Sequence, residues 1–123
     1  MKMRLADSDL RIMEILWREG PTTAKKIGEI LFEQIGWRKT TAYTVIKYCI
    51  NKGAIRREEP FFICHPLITR EQAQEMATTR LIDSLYAGDP GQLLAFVLGS
   101  GSKKYSPEEI EKLRELVENL AGQ

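Results

Sequence analysis

Between Trp37 and Gly53 the chain reads WRKTTAYTVIKYCINKG, and helical spacing sorts these side chains into two chemistries. Ala42, Val45, Ile46, Cys49 and Ile50 fall at i, i+3, i+4, i+7 and i+8, a single apolar stripe. The opposite face carries Thr40, Tyr43, Thr44, Lys47, Tyr48 and Asn51, and no Asp or Glu stands between Glu33 and Glu58. An ordinary surface helix places Glu and Lys there as i,i+4 pairs. A phosphate-lined groove repels carboxylates and bonds hydroxyls, amides and amines. This face therefore has the chemistry of a helix that enters the major groove of duplex DNA.

Such a helix needs a scaffold, and the flanking sequence supplies one. Asp7 or Ser8 offers a cap for a first helix with Leu10, Met13, Leu16 and Trp17 on its apolar face, ended by Gly20-Pro21. Thr22 or Thr23 caps a second helix through Phe32, with Ile27, Ile30 and Leu31 facing inward, and Gly36 breaks it. Thr40 or a neighbour opens the third helix and Gly53 ends it. Three short helices joined by tight turns form a helix-turn-helix pattern. Ala54–Arg57 and Phe61–His65 are β-rich runs around a Glu58-Glu59-Pro60 turn, a hairpin beside the third helix. The predicted fold is mostly α with a small β-hairpin: a winged helix-turn-helix over residues 1–68, followed by a helical region.

Residues 69–123 hold three more predicted helices. Thr69-Arg70-Glu71-Gln72 has the form of a capping box, opening a helix to about Ala87 with Ala73, Met76, Ala77, Leu81 and Leu85 on one side. Leu93, Leu94, Phe96, Val97 and Leu98 form a short apolar helix, GSGSKK at 99–104 reads as a linker, and Ser106-Pro107-Glu108-Glu109 starts a last helix striped by Ile110, Leu113, Val117 and Leu120. These faces exceed what so short a segment buries on itself, which predicts an oligomer interface made of Leu81, Leu85, Leu93, Leu94, Phe96, Val97, Ile110, Leu113, Val117 and Leu120. A two-fold homodimer is the simplest closure, and two winged helices about a two-fold read a palindromic operator.

Composition bounds the function. The net charge is only +1, but residues 1–70 hold 13 Lys+Arg against 8 Asp+Glu and residues 71–123 hold 5 against 9, a basic half and an acidic half. One His and two Cys supply neither a metal shell nor an enzyme constellation, so no catalytic residue, cofactor or metal is expected. Cys64-His65 on adjacent strand positions point to opposite faces. Cys49 and Cys64 read as small buried hydrophobes in a reducing, cytoplasmic compartment. No apolar run approaches the ~20 residues of a membrane span, and the opening MKMRLADSDLRI has no apolar h-region, so no secretory signal is expected.

LRIMEILW at 10–17, the Trp37-anchored TTAYTVIKYCINKG and PLITRE at 66–71 together resemble the penicillinase repressor family, which includes the repressors of β-lactamase and methicillin-resistance genes. The similarity runs over nearly the whole chain, including EEIEKLREL. The resemblance implies a homodimeric winged-helix repressor of transcription. On matching positions it places Thr40, Thr41, Thr44, Lys47 and Tyr48 toward the groove and Arg56 and Arg57 on backbone phosphates, and helical spacing adds Tyr43 to the same DNA-binding face. Arg38-Lys39, Tyr43 and Tyr48 depart from the usual family residues, so the operator is expected to differ too. The acidic Glu58-Glu59-Pro60 tip is expected to confine any wing contact to Arg56 and Arg57. Some relatives are cut at an Asn-Phe bond under the control of a membrane sensor protease. The matching bond is Ala95-Phe96, which lacks the Asn and stands as a candidate cleavage site. No Cys follows Cys64, so the cysteine cluster of copper-responsive relatives is absent. A different class of function, a winged helix serving as a protein-interaction scaffold without specific DNA binding, is marked off by duplex binding that does not respond to salt.

Overall fold

A computed structural model describes residues 3–100 and 105–121 and divides the chain into two units, Met1–Thr78 and Thr79–Gln123. In the first unit α1 (Asp7–Glu19), α2 (Ala24–Ile35) and α3 (Lys39–Asn51) pack around one core, with a small sheet at its edge. Thr22–Thr23 (β1), Ile55–Glu58 (β2) and Ile63–Pro66 (β3) pair antiparallel in the order β1-β3-β2, with Thr22 opposite Cys64 and Arg57 opposite Cys64 on the other side. The third strand was not predicted, since two residues carry no periodicity of their own. The α4 helix covers Arg70–Leu85, α5 covers Pro90–Ala95 and continues through Phe96–Ser100 in wider π-type turns, and α6 covers Pro107–Ala121. The fold is thus the expected winged helix followed by helices.

The core follows the expected stripes on α2 and α3, while on α1 Ile12 and Ile15 join Met13 and Leu16 inside and Leu10 and Trp17 are only half buried. Ile12, Met13, Ile15 and Leu16 of α1 meet Ala24, Ile27 and Leu31 of α2 and Ala42, Val45, Ile46 and Cys49 of α3, all buried, with Ile55 and Cys64 closing the sheet side. Burial of this apolar surface is what fixes the tilt of α3, because its stripe has one matching cavity to fill. Trp17 secures the exit from the wing: its indole N–H donates to the Ile68 carbonyl at 3.0 Å, and the Arg70 guanidinium lies 5.5 Å from its ring centroid while pairing with Glu14 at 3.0 Å.

Several boundaries move from their predicted places, each for a local reason. Neither Asp7 nor Ser8 caps α1. Ala6 is the cap residue, and the Asp9 carboxylate takes its backbone N–H at 2.8 Å. Thr23 does cap α2, accepting from the Lys26 N–H at 3.1 Å, but the helix continues past Phe32 to Ile35 because nothing interrupts it before Gly36. Gly36 sits at φ 73°, ψ 19°, a left-handed conformation that favours glycine, and its N–H reaches the Phe32 carbonyl. The third helix opens at Lys39 with Arg38 as its cap and no side-chain cap bond. Phe61 and Phe62 belong to the turn, not to β3, and α4 ends at Leu85 where Ala87 and Gly88 turn to positive φ.

In the helices that follow the wing, the predicted caps are present. Thr69 and Gln72 bond reciprocally, with the Gln72 N–H on the Thr69 hydroxyl at 3.0 Å and the Thr69 N–H on the Gln72 amide oxygen at 2.8 Å. Ser106 and Glu109 repeat the pattern at 3.1 and 3.0 Å. Asp89 caps α5 through the Gly91 N–H at 2.9 Å. Of the predicted linker, residues 101–104 lie outside the described residues, while Gly99 and Ser100 close the π-type turns.

Candidate nucleic-acid interface

The α3 helix divides as its spacing requires. Ala42, Val45, Ile46 and Cys49 are buried, and Thr40, Thr41, Thr44, Lys47, Tyr48 and Asn51 are exposed, with Tyr48 half open to solvent. Arg38 and Lys39 are exposed at its first turn. The Thr44 hydroxyl donates to the Thr40 carbonyl at 2.8 Å, which holds the hydroxyl oxygen outward as an acceptor. Tyr43 behaves differently from the rest of the face. Its ring meets Phe62 edge-on, centroids 5.8 Å apart at 81°, and Lys39 lies 5.6 Å from its centroid. It is half buried, so its apolar body joins α3 to the turn between β2 and β3.

The two wing arginines also part company. Arg56 is exposed on β2 opposite His65. Arg57 is engaged within the wing: its Nε–H donates to Glu59 and its guanidinium stacks 3.6 Å from the Phe62 ring centroid. The other acid of the expected tip, Glu58, ends β2 and is bonded to His65 Nε2 at 2.6 Å. Both carboxylates that were expected to repel phosphate therefore face a basic partner.

One polar residue that fastens α3 has no counterpart among the expected site residues. Asp9 is fully buried, and it joins the start of α1 to the end of α3 by pairing with Lys52 while accepting from the Cys49 thiol at 3.7 Å. Its spacing held the signal: Asp9, Ile12, Met13 and Leu16 fall at i, i+3, i+4 and i+7, so the carboxylate lies on the apolar stripe itself.

Desolvation by burial, reinforced by the Asp9 carboxylate, pushes the Cys49 thiol up to about 12, and burial pushes Cys64 up to about 11. Both thiols should resist alkylation at pH 8 in the folded protein and react only in denaturant, as a timed iodoacetamide reaction read by mass spectrometry will show. Since both folded thiols keep their protons above the ordinary value of 9.0, the stability they contribute is fully present below pH 9 and is lost as pH rises toward 11 to 12. One thiol alkylated within minutes at pH 8 without denaturant would contradict this burial.

Residues 5–119 match the penicillinase repressor family. The chain belongs to that family. Its members are DNA-binding transcriptional repressors and not enzymes. Among solved structures, the monomeric form of BlaI from Bacillus licheniformis, determined in solution in complex with the blaP half-operator, is 22% identical. It covers 58% of this chain and 90% of its own, with a TM-score of 0.50, a likeness of fold. No curated protein matches the chain.

Among the described residues no cluster of three His, Cys, Asp or Glu could hold a metal, and no helix is long and apolar enough to cross a membrane. In the second unit Leu85, Phe96 and Ile110 are exposed, Leu81 is partly so, and Leu93, Leu94, Val97 and Leu113 are half buried. The side chains of Val117 and Leu120 lie outside the described residues. The Ala95-Phe96 bond falls where α5 passes into the π-type turns, so a protease would have to unwind helical backbone to cut it.

Proposed function

We propose that this protein is a cytoplasmic, homodimeric, sequence-specific repressor that binds a palindromic operator. Residues 1–68 carry the DNA-binding part and residues 69–123 the dimerisation part. The observation that carries the proposal is the exposed face of α3, a run of hydroxyls, phenol, amide and amine without a carboxylate, on a helix whose reverse face is locked into the core. In the major groove, Thr40, Thr41, Thr44, Lys47 and Tyr48 would meet base edges and flanking phosphates. Arg38, Lys39 and Arg56 would add backbone contacts that carry affinity rather than sequence information. BlaI, captured on a half-operator, supports the same use of the shared fold.

Replacing Lys47 by Ala should weaken binding to a preferred duplex about tenfold or more, with the circular dichroism spectrum and melting temperature unchanged because Lys47 is exposed. Gel shifts at two salt concentrations provide the measurement. Affinity of the wild type should fall steeply with salt, since counterions leave the DNA as Lys and Arg approach. An interaction scaffold would show no salt-dependent duplex binding, and equal affinity of the Lys47→Ala variant would remove this face from the interface.

A further inference from the structure

The wing carries an exposed aromatic that the α3 surface does not account for. Phe61 is 73% exposed at the tip of the turn, whereas its neighbour Phe62 is half buried. Phe62 adopts φ 52°, a costly conformation for a side chain of that size, and three contacts hold it there. Tyr43 of α3 meets its ring edge-on, Arg57 stacks on its face, and its carbonyl accepts the Ala24 N–H at 3.0 Å. Two consecutive aromatics are thereby separated, one fastened to the recognition helix and the start of α2, the other left in water.

The polar side chains around Phe61 are engaged within the wing. Arg57 is occupied by Glu59 and by Phe62, and Glu58 is bonded to His65. What the wing offers at its tip is Pro60-Phe61, an uncharged apolar knob whose chain neighbour Phe62 meets Tyr43 of α3. On a duplex seated on α3, a tip of this chemistry would be matched by the apolar deoxyribose wall of a minor groove and not by phosphate. Phosphate contact needs a cation in reach, and sugar contact needs a hydrophobe.

We infer that Phe61 is a DNA-contacting residue that packs on deoxyribose at the minor groove beside each half-site, so that the wing binds through an apolar tip and not through Arg57. This rests on the proposed reading of α3 as the groove-facing helix. An apolar contact differs from an ionic one in how it answers to salt. Removing a phosphate contact lowers the slope of log affinity against log salt by about 1, whereas removing an apolar contact lowers affinity equally at every salt.

The test uses the full-length protein and a duplex enriched by it from a random library. Affinities are measured over a series of salt concentrations for wild type, Phe61→Ala, Phe61→Leu and Arg56→Ala. Phe61→Ala should bind about tenfold more weakly with the salt slope unchanged. Phe61→Leu, which keeps an apolar tip, should stay within about threefold of wild type. Arg56→Ala should flatten the slope. Since Phe61 is exposed, these variants should melt with the wild type. A Phe61→Ala variant that binds as wild type, or one that changes the sedimenting mass instead of the affinity, overturns the wing contact alone. Failure to enrich any duplex with the wild type overturns the operator reading, and the wing contact with it.

Discussion

Asp9→Ala should lower the melting temperature of the winged helix by about 15 °C. The carboxylate is fully buried and serves three donors at once: the Ala6 N–H at 2.8 Å, the Cys49 thiol at 3.7 Å and the Lys52 ammonium. Alanine leaves the helix start without its cap bond, opens a void between α1 and α3, and strands Lys52. Breaking a buried ion pair by removing one partner costs roughly 3–5 kcal/mol. Lys52 is about one-third exposed and regains part of its hydration, so the lower end, about 3 kcal/mol, is expected. Asp9→Asn keeps the shape and an acceptor for Ala6 but loses the charge, and should cost about half as much. Thermal unfolding followed by circular dichroism orders the three proteins as wild type, Asn, Ala. An Ala variant melting within about 2 °C of wild type would show that this contact contributes nothing. Because Asp9 fastens the end of α3, the Ala variant should also lose operator selectivity at temperatures where it remains folded.

The way Asp9 escaped detection shows what in this fold was legible. The stripes of α1, α2 and α3 follow from a period of 3.6, and every residue they put inward on α3 is buried or half buried. The capping pairs Thr69–Gln72 and Ser106–Glu109 were legible because each is closed within four residues. Asp9 lies on the same stripe as Ile12 and Leu16, but its meaning depends on Lys52, 43 residues away, and no local pattern joins the two. The wing failed for a related reason. Phe61 and Phe62 have strand propensity, yet Phe62 is held at positive φ by Tyr43, Arg57 and Ala24, contacts set by packing rather than by neighbours in sequence. Tyr43 was placed on the groove face by spacing, and the structure gives its ring a second task on Phe62. The acids at the turn were read as isolated charges, although the alternation of β2 and β3 brings Glu58 to His65.

A chain ended after Thr78 should sediment as a monomer and bind a full palindromic duplex on the order of a thousandfold more weakly than the full-length protein. That cut falls at the boundary of the first unit and keeps its core, the Trp17–Ile68 bond and buried Ala73. The second unit meanwhile exposes Leu85, Phe96, Ile110 and Leu116, with Leu81 partly open, an apolar load that a second copy would cover by a two-fold. Each winged helix alone has a modest charge excess, 13 Lys+Arg against 8 Asp+Glu over residues 1–70, so one half-site contact is weak at physiological salt. Tethering a second reader makes its docking intramolecular, at an effective concentration near millimolar, and affinity multiplies without any new contact. The same tether makes half-site spacing strict, since a duplex with half-sites moved by half a turn presents the second site on the wrong face. The truncated chain should be indifferent to that shift while the full-length protein loses most of its affinity. Sedimentation velocity and gel shifts on the two duplexes separate these outcomes. A truncated chain that remains dimeric would place the self-association surface within residues 1–78 and leave the exposed leucines of α4 to another partner, and a monomeric one that matches full-length affinity would show that tethering contributes nothing.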